Sequence, residues 1–137
     1  MPVQLKWDDD QQQVVRWEFT RAIEVLDYII PVNETAAMAM MGSGKADIIV
    51  NMGWRLCFPS HSMRTVKQAL LAARWYALGT VIIVSRNPLA LAIMAVTLRR
   101  DPELSGVLFV VPALQDARQH IARSHAAAES QHSSAAQ

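Results

Sequence analysis

Ser60, His61 and Ser62 lie together in the stretch Phe58-Pro59-Ser60-His61-Ser62-Met63, and no other segment is better equipped for chemistry. A serine beside a histidine suggests a nucleophile with its base. Adjacent residues rarely aim their side chains at each other, however, and no acidic residue lies nearby to orient the imidazole. Phosphate or anion binding is the better chemical reading. An apolar strand over residues 47–52 runs into this loop and an amphipathic helix over 62–78 follows it, a junction where ligands usually sit in α/β proteins. Carboxyl ends of parallel strands would gather Asn51, Trp54, residues 60–64 and Ser85, Arg86 and Asn87 at one rim. Arg55, Arg64 and Arg86 supply positive charge there, beside two helix amino termini. Such a rim suits a phosphate, a carboxylate or an acidic partner surface. Simple capping by Ser60, Ser62 and Asn87 accounts for the same residues without a ligand.

Several other motifs lead nowhere chemically. Gly42-Ser43-Gly44-Lys45 lacks the spacing of a phosphate-binding loop and precedes a strand, so a helix stop and turn explain it. Asp8-Asp9-Asp10 is a run of adjacent carboxylates, whereas calcium loops space their ligands, and the triplet reads as a solvated turn. Cys57 is the only cysteine, which excludes an intramolecular disulfide. Its apolar neighbours Leu56 and Phe58 suit a small buried side chain. His125 and His132 fall in or beside a polar tail and receive no metal role. No dinucleotide fingerprint follows any strand, and neither a cofactor nor an enzymatic activity is expected.

The elements that must hold the rim follow from periodicity. Val3, Leu5 and Trp7 alternate with polar residues, as do Val15, Trp17 and Phe19, and a short polar link predicts an antiparallel hairpin. Helical character covers residues 22–41. Pro31 implies either a short turn before a helix that begins at the proline, or one helix kinked there. Residues 47–52, 80–84 and 107–111 read as central parallel strands. In the helix over 62–78, Met63, Val66, Leu70, Ala73 and Ala77 recur on one face, and Gly79 is expected to end it. Residues 88–100, opened by Asn87 and Pro88, are apolar almost all round, which predicts the most buried helix or an interface, including a homodimer. Leu114, Ala117 and Ile121 mark a last inward-facing helix. From Ala126 onward no apolar periodicity remains, and a disordered tail over 126–137 is expected after a domain over 1–125. The fold class is α/β, in the order β-β-α-β-α-β-α-β-α, with an antiparallel hairpin followed by parallel strands.

Composition sets the outer limits. The 137 residues suit one domain, with 52% hydrophobic and 18% charged residues and a net charge of +1. This balance argues against a nucleic-acid interface, and Trp54 and Trp75 read as packing residues rather than stacking platforms. Met38, Met40 and Met41 suit either the core or an adaptable partner surface. The opening residues lack the pattern of a secretory signal, and no apolar run is long enough to span a membrane. A cytoplasmic protein is expected.

The hairpin over 3–19, the strand–loop–helix over 47–78, the short strand entering an Asn-Pro helix start, and the ending VLFVVPALQDARQHI together resemble the STAS domain. That fold occurs in bacterial anti-sigma-factor antagonists and in the cytoplasmic tails of sulfate-type anion transporters. VQLKWDDDQQQVVRWEFT and ADIIVNM are similar to small stand-alone STAS-like bacterial proteins. The resemblance spans roughly residues 3–124 and implies a non-enzymatic, regulatory protein-interaction module. It further implies a partner such as an anti-sigma-factor-type kinase. In the antagonists, an Asp-Ser-Ser-Gly-type motif carries a phosphorylated serine at the start of the helix after the third strand. Ser62 falls at the phosphorylated position and Ser60 at the aspartate, so both are candidate phosphoacceptors. The aspartate and the glycine of that motif are absent here, and Pro59 and His61 stand beside the serines. A small-molecule or anion sensor using the same rim is the alternative function.

Overall fold

A computed structural model of the chain describes residues 3–19, 26–42, 44–53, 63–74 and 78–135. Their elements are β1 (Val3–Trp7), β2 (Val14–Phe19), α1 (Leu26–Met41), β3 (Ala46–Gly53), α2 (Met63–Arg74), β4 (Leu78–Ser85), α3 (Pro88–Arg99), α4 (Pro102–Ser105), β5 (Leu108–Val111) and α5 (Leu114–Ala135). Five strands form one mixed sheet in the order β1-β2-β3-β4-β5. β1 is antiparallel to β2, and every other pairing is parallel. The α/β class, the hairpin and the parallel strands are as the periodicity predicts.

This strand order advances in one direction, so crossovers of one hand must place their helices on one side of the sheet. Residues of α1, α2, α3 and α4 share a single apolar core with alternate residues of the sheet, from Val3 and Val15 through Ile48 and Val81 to Leu108. α5 follows the last strand and folds back over the opposite side. There it packs Ala117 and Ile121 on Val14, Ile49, Ile82 and Val84. β3 and β4 thus carry Ile48, Ile49, Ile82 and Ile83 on both faces, all fully buried. That double coverage explains why these strands read as unbroken apolar runs.

Pro31 lies inside one helix, which resolves the choice left open by the sequence. Thr35 on α1 is buried and accepts a 2.8 Å hydrogen bond from Trp17 Nε1, fastening the helix to β2. The chain leaves α1 through Gly42 and Gly44, whose N–H groups both donate to the Ala39 carbonyl. Gly44 takes φ +99°, a backbone conformation that only glycine adopts without strain.

Five expectations need correction. Gly79 does not end the helix after the loop: α2 ends at Arg74 and Gly79 lies within β4, packed against the Asp47 side chain, where a Cβ would collide. A one-turn helix, α4, is added, capped by Asp101 with Pro102 in its first turn. β5 lies at the sheet edge rather than centrally. Helix α3 is not the most buried helix, since it buries only Ala90 and Met94 whereas α1 buries Val32, Thr35, Ala36 and Ala39, and of the two readings only the interface remains. The last helix continues to Ala135 past the expected break at Ala126, in a run rich in alanine, the strongest helix former. Among the described residues, no helix is long and apolar enough to cross a membrane.

Candidate functional site

The carboxyl-end rim is partly in view. Trp54, Arg55, Ser60, His61 and Ser62 lie outside the described residues, as do Cys57 and Trp75. Arg64 stands in the first turn of α2. The four remaining rim residues are already engaged in the fold. Arg86 is exposed, and its backbone N–H donates to the Gly53 carbonyl at 2.7 Å, tying the end of β4 to the end of β3. Ser85 is buried, and its Oγ accepts from the Asn87 N–H at 3.2 Å. Asn87 is the N-cap of α3, its side-chain oxygen accepting from Leu89 N–H at 3.0 Å.

Asn51 stands opposite Val84, near the carboxyl end of β3. Its amide donates to Glu18 at 3.0 Å, toward β2. The expected anion cradle at α3 also loses two of its amides. Pro88 has no N–H, and the Leu89 N–H is taken by the cap. Beyond the cap the helix presents Leu89, Ile93 and Val96 to solvent at 59%, 45% and 47% exposure. These positions follow the i, i+4, i+7 spacing of one helix face. Exposed Arg86 precedes this ridge and exposed Arg99 and Arg100 follow it.

A second polar cluster sits at the opposite end of the strands. Asp8, only 6% exposed in its side chain, accepts from Arg16 Nη1 at 2.7 Å. It also accepts a forked pair from Arg118, Nε at 3.0 Å and Nη2 at 2.9 Å. Burial alone would push the Asp8 carboxyl upward; the hydrogen bonds and positive charges of Arg118 and Arg16 outweigh it and hold the group below its ordinary range. Asp9 closes the turn, its carboxylate accepting from the N–H groups of Gln13 and Val14. Asp8 and Asp9 are therefore structural rather than merely solvated, while Asp10 is exposed as expected; among the described residues no group of His, Cys, Asp and Glu side chains is placed to hold a metal ion. Next to it, Asp47 accepts from Thr80 N–H at 2.7 Å and lies 2.6 Å from His125 Nε2. A cleft of about 460 Å³ separates the turn from α5, with Asp10, Gln13, Ile121 and His125 among its walls.

No single stretch of sequence could reveal this cluster, since Asp8 and Arg118 are 110 positions apart and Asp47 and His125 are 78 apart. One signal was present: Arg118, Ile121, Ala122 and His125 share a helix face at i, i+3, i+4, i+7 spacing. Asp8 pairs with Arg16 on β2 and Arg118 on α5, and Asp47 on β3 bonds to His125, so these contacts fasten α5 to the hairpin and to β3.

Compared with known proteins, the chain has no significant match to a family model, a curated protein or a solved structure.

Proposed function

We propose that this domain is a STAS-like regulatory protein-interaction module that works in the cytoplasm, without catalysis of its own. The observation that carries the reading is the exposed apolar ridge of Leu89, Ile93 and Val96, flanked by Arg86, Arg99 and Arg100. Apolar anchors with arginines at either end suit an acidic protein surface with hydrophobic side chains of its own. The partner proposed is a regulatory protein of the anti-sigma-factor-kinase type, as the resemblance of the sequence implies. The polar rim residues support the same reading, because Ser85 and Asn87 spend their hydrogen bonds on the start of α3.

Regulation is proposed at Ser62, with Ser60 as the second acceptor. Ser62 immediately precedes Met63, the first residue of α2. Phosphate there would place negative charge at a helix amino terminus and change the surface offered to the partner. Incubation with such a kinase and ATP is expected to add one phosphate by intact mass, and Ser62→Ala is expected to abolish the addition without unfolding the domain. A wild-type mass that stays unchanged would remove the switch from this proposal.

A further inference from the structure

β1 is an edge strand, and its free side is defined by the register. Asp8 N–H donates to the Val14 carbonyl, and Trp7, Leu5 and Val3 stand opposite Val15, Trp17 and Phe19. Hydrogen-bonded and non-hydrogen-bonded pairs alternate in an antiparallel ladder. Lys6 and Gln4 therefore bond inward to β2, while Val3, Leu5 and Trp7 direct their N–H and C=O groups off the sheet. Alongside this edge runs a groove of about 880 Å³, walled by Leu5, Glu34, Ala37 and Met38. On the same helix, Ile30 and Met41 continue the line of Ala37, and Met41 is 89% exposed.

We propose that this edge pairs with a second copy of the chain, joining two sheets through β1 about a two-fold axis at Leu5. The inference goes beyond the docking surface on α3 and is independent of it. In the register centred on Leu5, Leu5 faces its own counterpart and Val3 faces Trp7, so all three outward residues find hydrogen-bonded partners. Their side chains fall on the apolar side of the sheet, where Val3, Leu5 and Trp7 already pack against the main core.

Charge selects this register over its neighbours. It sets Lys6 opposite Gln4, whereas a shift toward the end of the hairpin would set Lys6 against Lys6. A shift the other way would carry Trp7 beyond the partner's β1. Within one copy, Lys6 stands opposite Arg16 and Gln4 opposite Glu18. Pairing across the axis carries the lysine toward the partner's Glu18 side, which offsets that like-charge contact.

Size is also consistent. A stable two-fold interface needs about 800 Å² from each copy, near a tenth of the chain's 8100 Å² surface. β1 alone, about 17 Å long, is too small for this. The line from Ile30 through Ala37 and Met38 to Met41 on α1, about 17 Å long, extends the surface beside it.

Sedimentation of the full chain over a range of concentrations, together with amide hydrogen exchange, tests the proposal. A dimer is expected, with the amides of Val3, Leu5 and Trp7 protected in it and losing protection on dilution. Gln4→Lys places like charges opposite each other twice and is expected to weaken the dimer roughly tenfold. It should leave the monomer folded, because the introduced lysine faces Glu18. A chain that stays monomeric throughout would overturn the proposal. So would a dimer insensitive to Gln4→Lys and abolished by Ile93→Asp, which would place the interface on α3.

Discussion

The two faces of the sheet are completed by different physics. Beneath α1, α2, α3 and α4, one apolar core reaches from Val3 on the edge strand to Leu108 at the far side. On the other face, α5 covers only part of the sheet, and the apolar cluster stops at Val14 and Ile49. Toward the hairpin that face turns ionic: Arg16 pairs with both Asp8 and Glu18, and Asn51 bonds to Glu18. The four helices of three crossovers suffice to bury a face; one returning helix does not, and ion pairs complete the other face. The lesson is that ionic residues near a sheet end need not mark a site. Here they hold α5 in place, while the exposed features suited to partners are apolar.

The contrast can be broken first on the covered face. Ile48→Ala removes a fully buried side chain from the main core and is expected to cost about 2–5 kcal/mol, read by chemical denaturation. A cost near zero would mean that this core is not the principal source of stability. On the ionic face a smaller effect is expected. Asp8→Asn leaves Arg16 and Arg118 without their carboxylate and should cost about 1–3 kcal/mol at neutral pH, discounted because Arg118 is half exposed.

The pH dependence has a definite sign. The Asp8 carboxyl is held below its usual value in the folded chain, so its contribution is complete above the unfolded value of about 3.9. That contribution is lost as pH falls through the lower folded value. Wild type should therefore lose stability more steeply below about pH 4 than Asp8→Asn. Parallel acid curves for the two proteins would show that the pairing with Arg118 and Arg16 contributes nothing.

Much of the fold was legible because strand periodicity is local. Val3, Leu5 and Trp7, and then Val15, Trp17 and Phe19, declare both the hairpin and its inner face. The apolar runs around Ile48 and Ile82 likewise declare strands covered on both sides. Where neighbours distant in sequence decide the outcome, the reading failed. Gly79 resembles a helix terminator, but it lies inside β4, where the Asp47 side chain from an adjacent strand leaves no room for a Cβ. Helix α3 looks buried by composition, yet the single sheet surface beneath it takes up only Ala90 and Met94. The candidate site was legible at its capping residues, Ser85 and Asn87, because capping is local. The pairs Asp8–Arg118 and Asp47–His125 were not, since they exist only after α5 has folded back across the sheet.

Titration calorimetry against an anti-sigma-factor-type kinase tests the interaction reading most directly, using one variant from each region. Ile93→Asp on the exposed ridge of α3 is expected to weaken binding at least roughly tenfold, the loss of one apolar anchor, with an unchanged melting temperature. Arg118→Ala on the ionic face is expected to lower stability slightly and leave affinity intact. Equal affinity for wild type and Ile93→Asp, or no binding by wild type, would contradict the assignment of α3 as the docking surface.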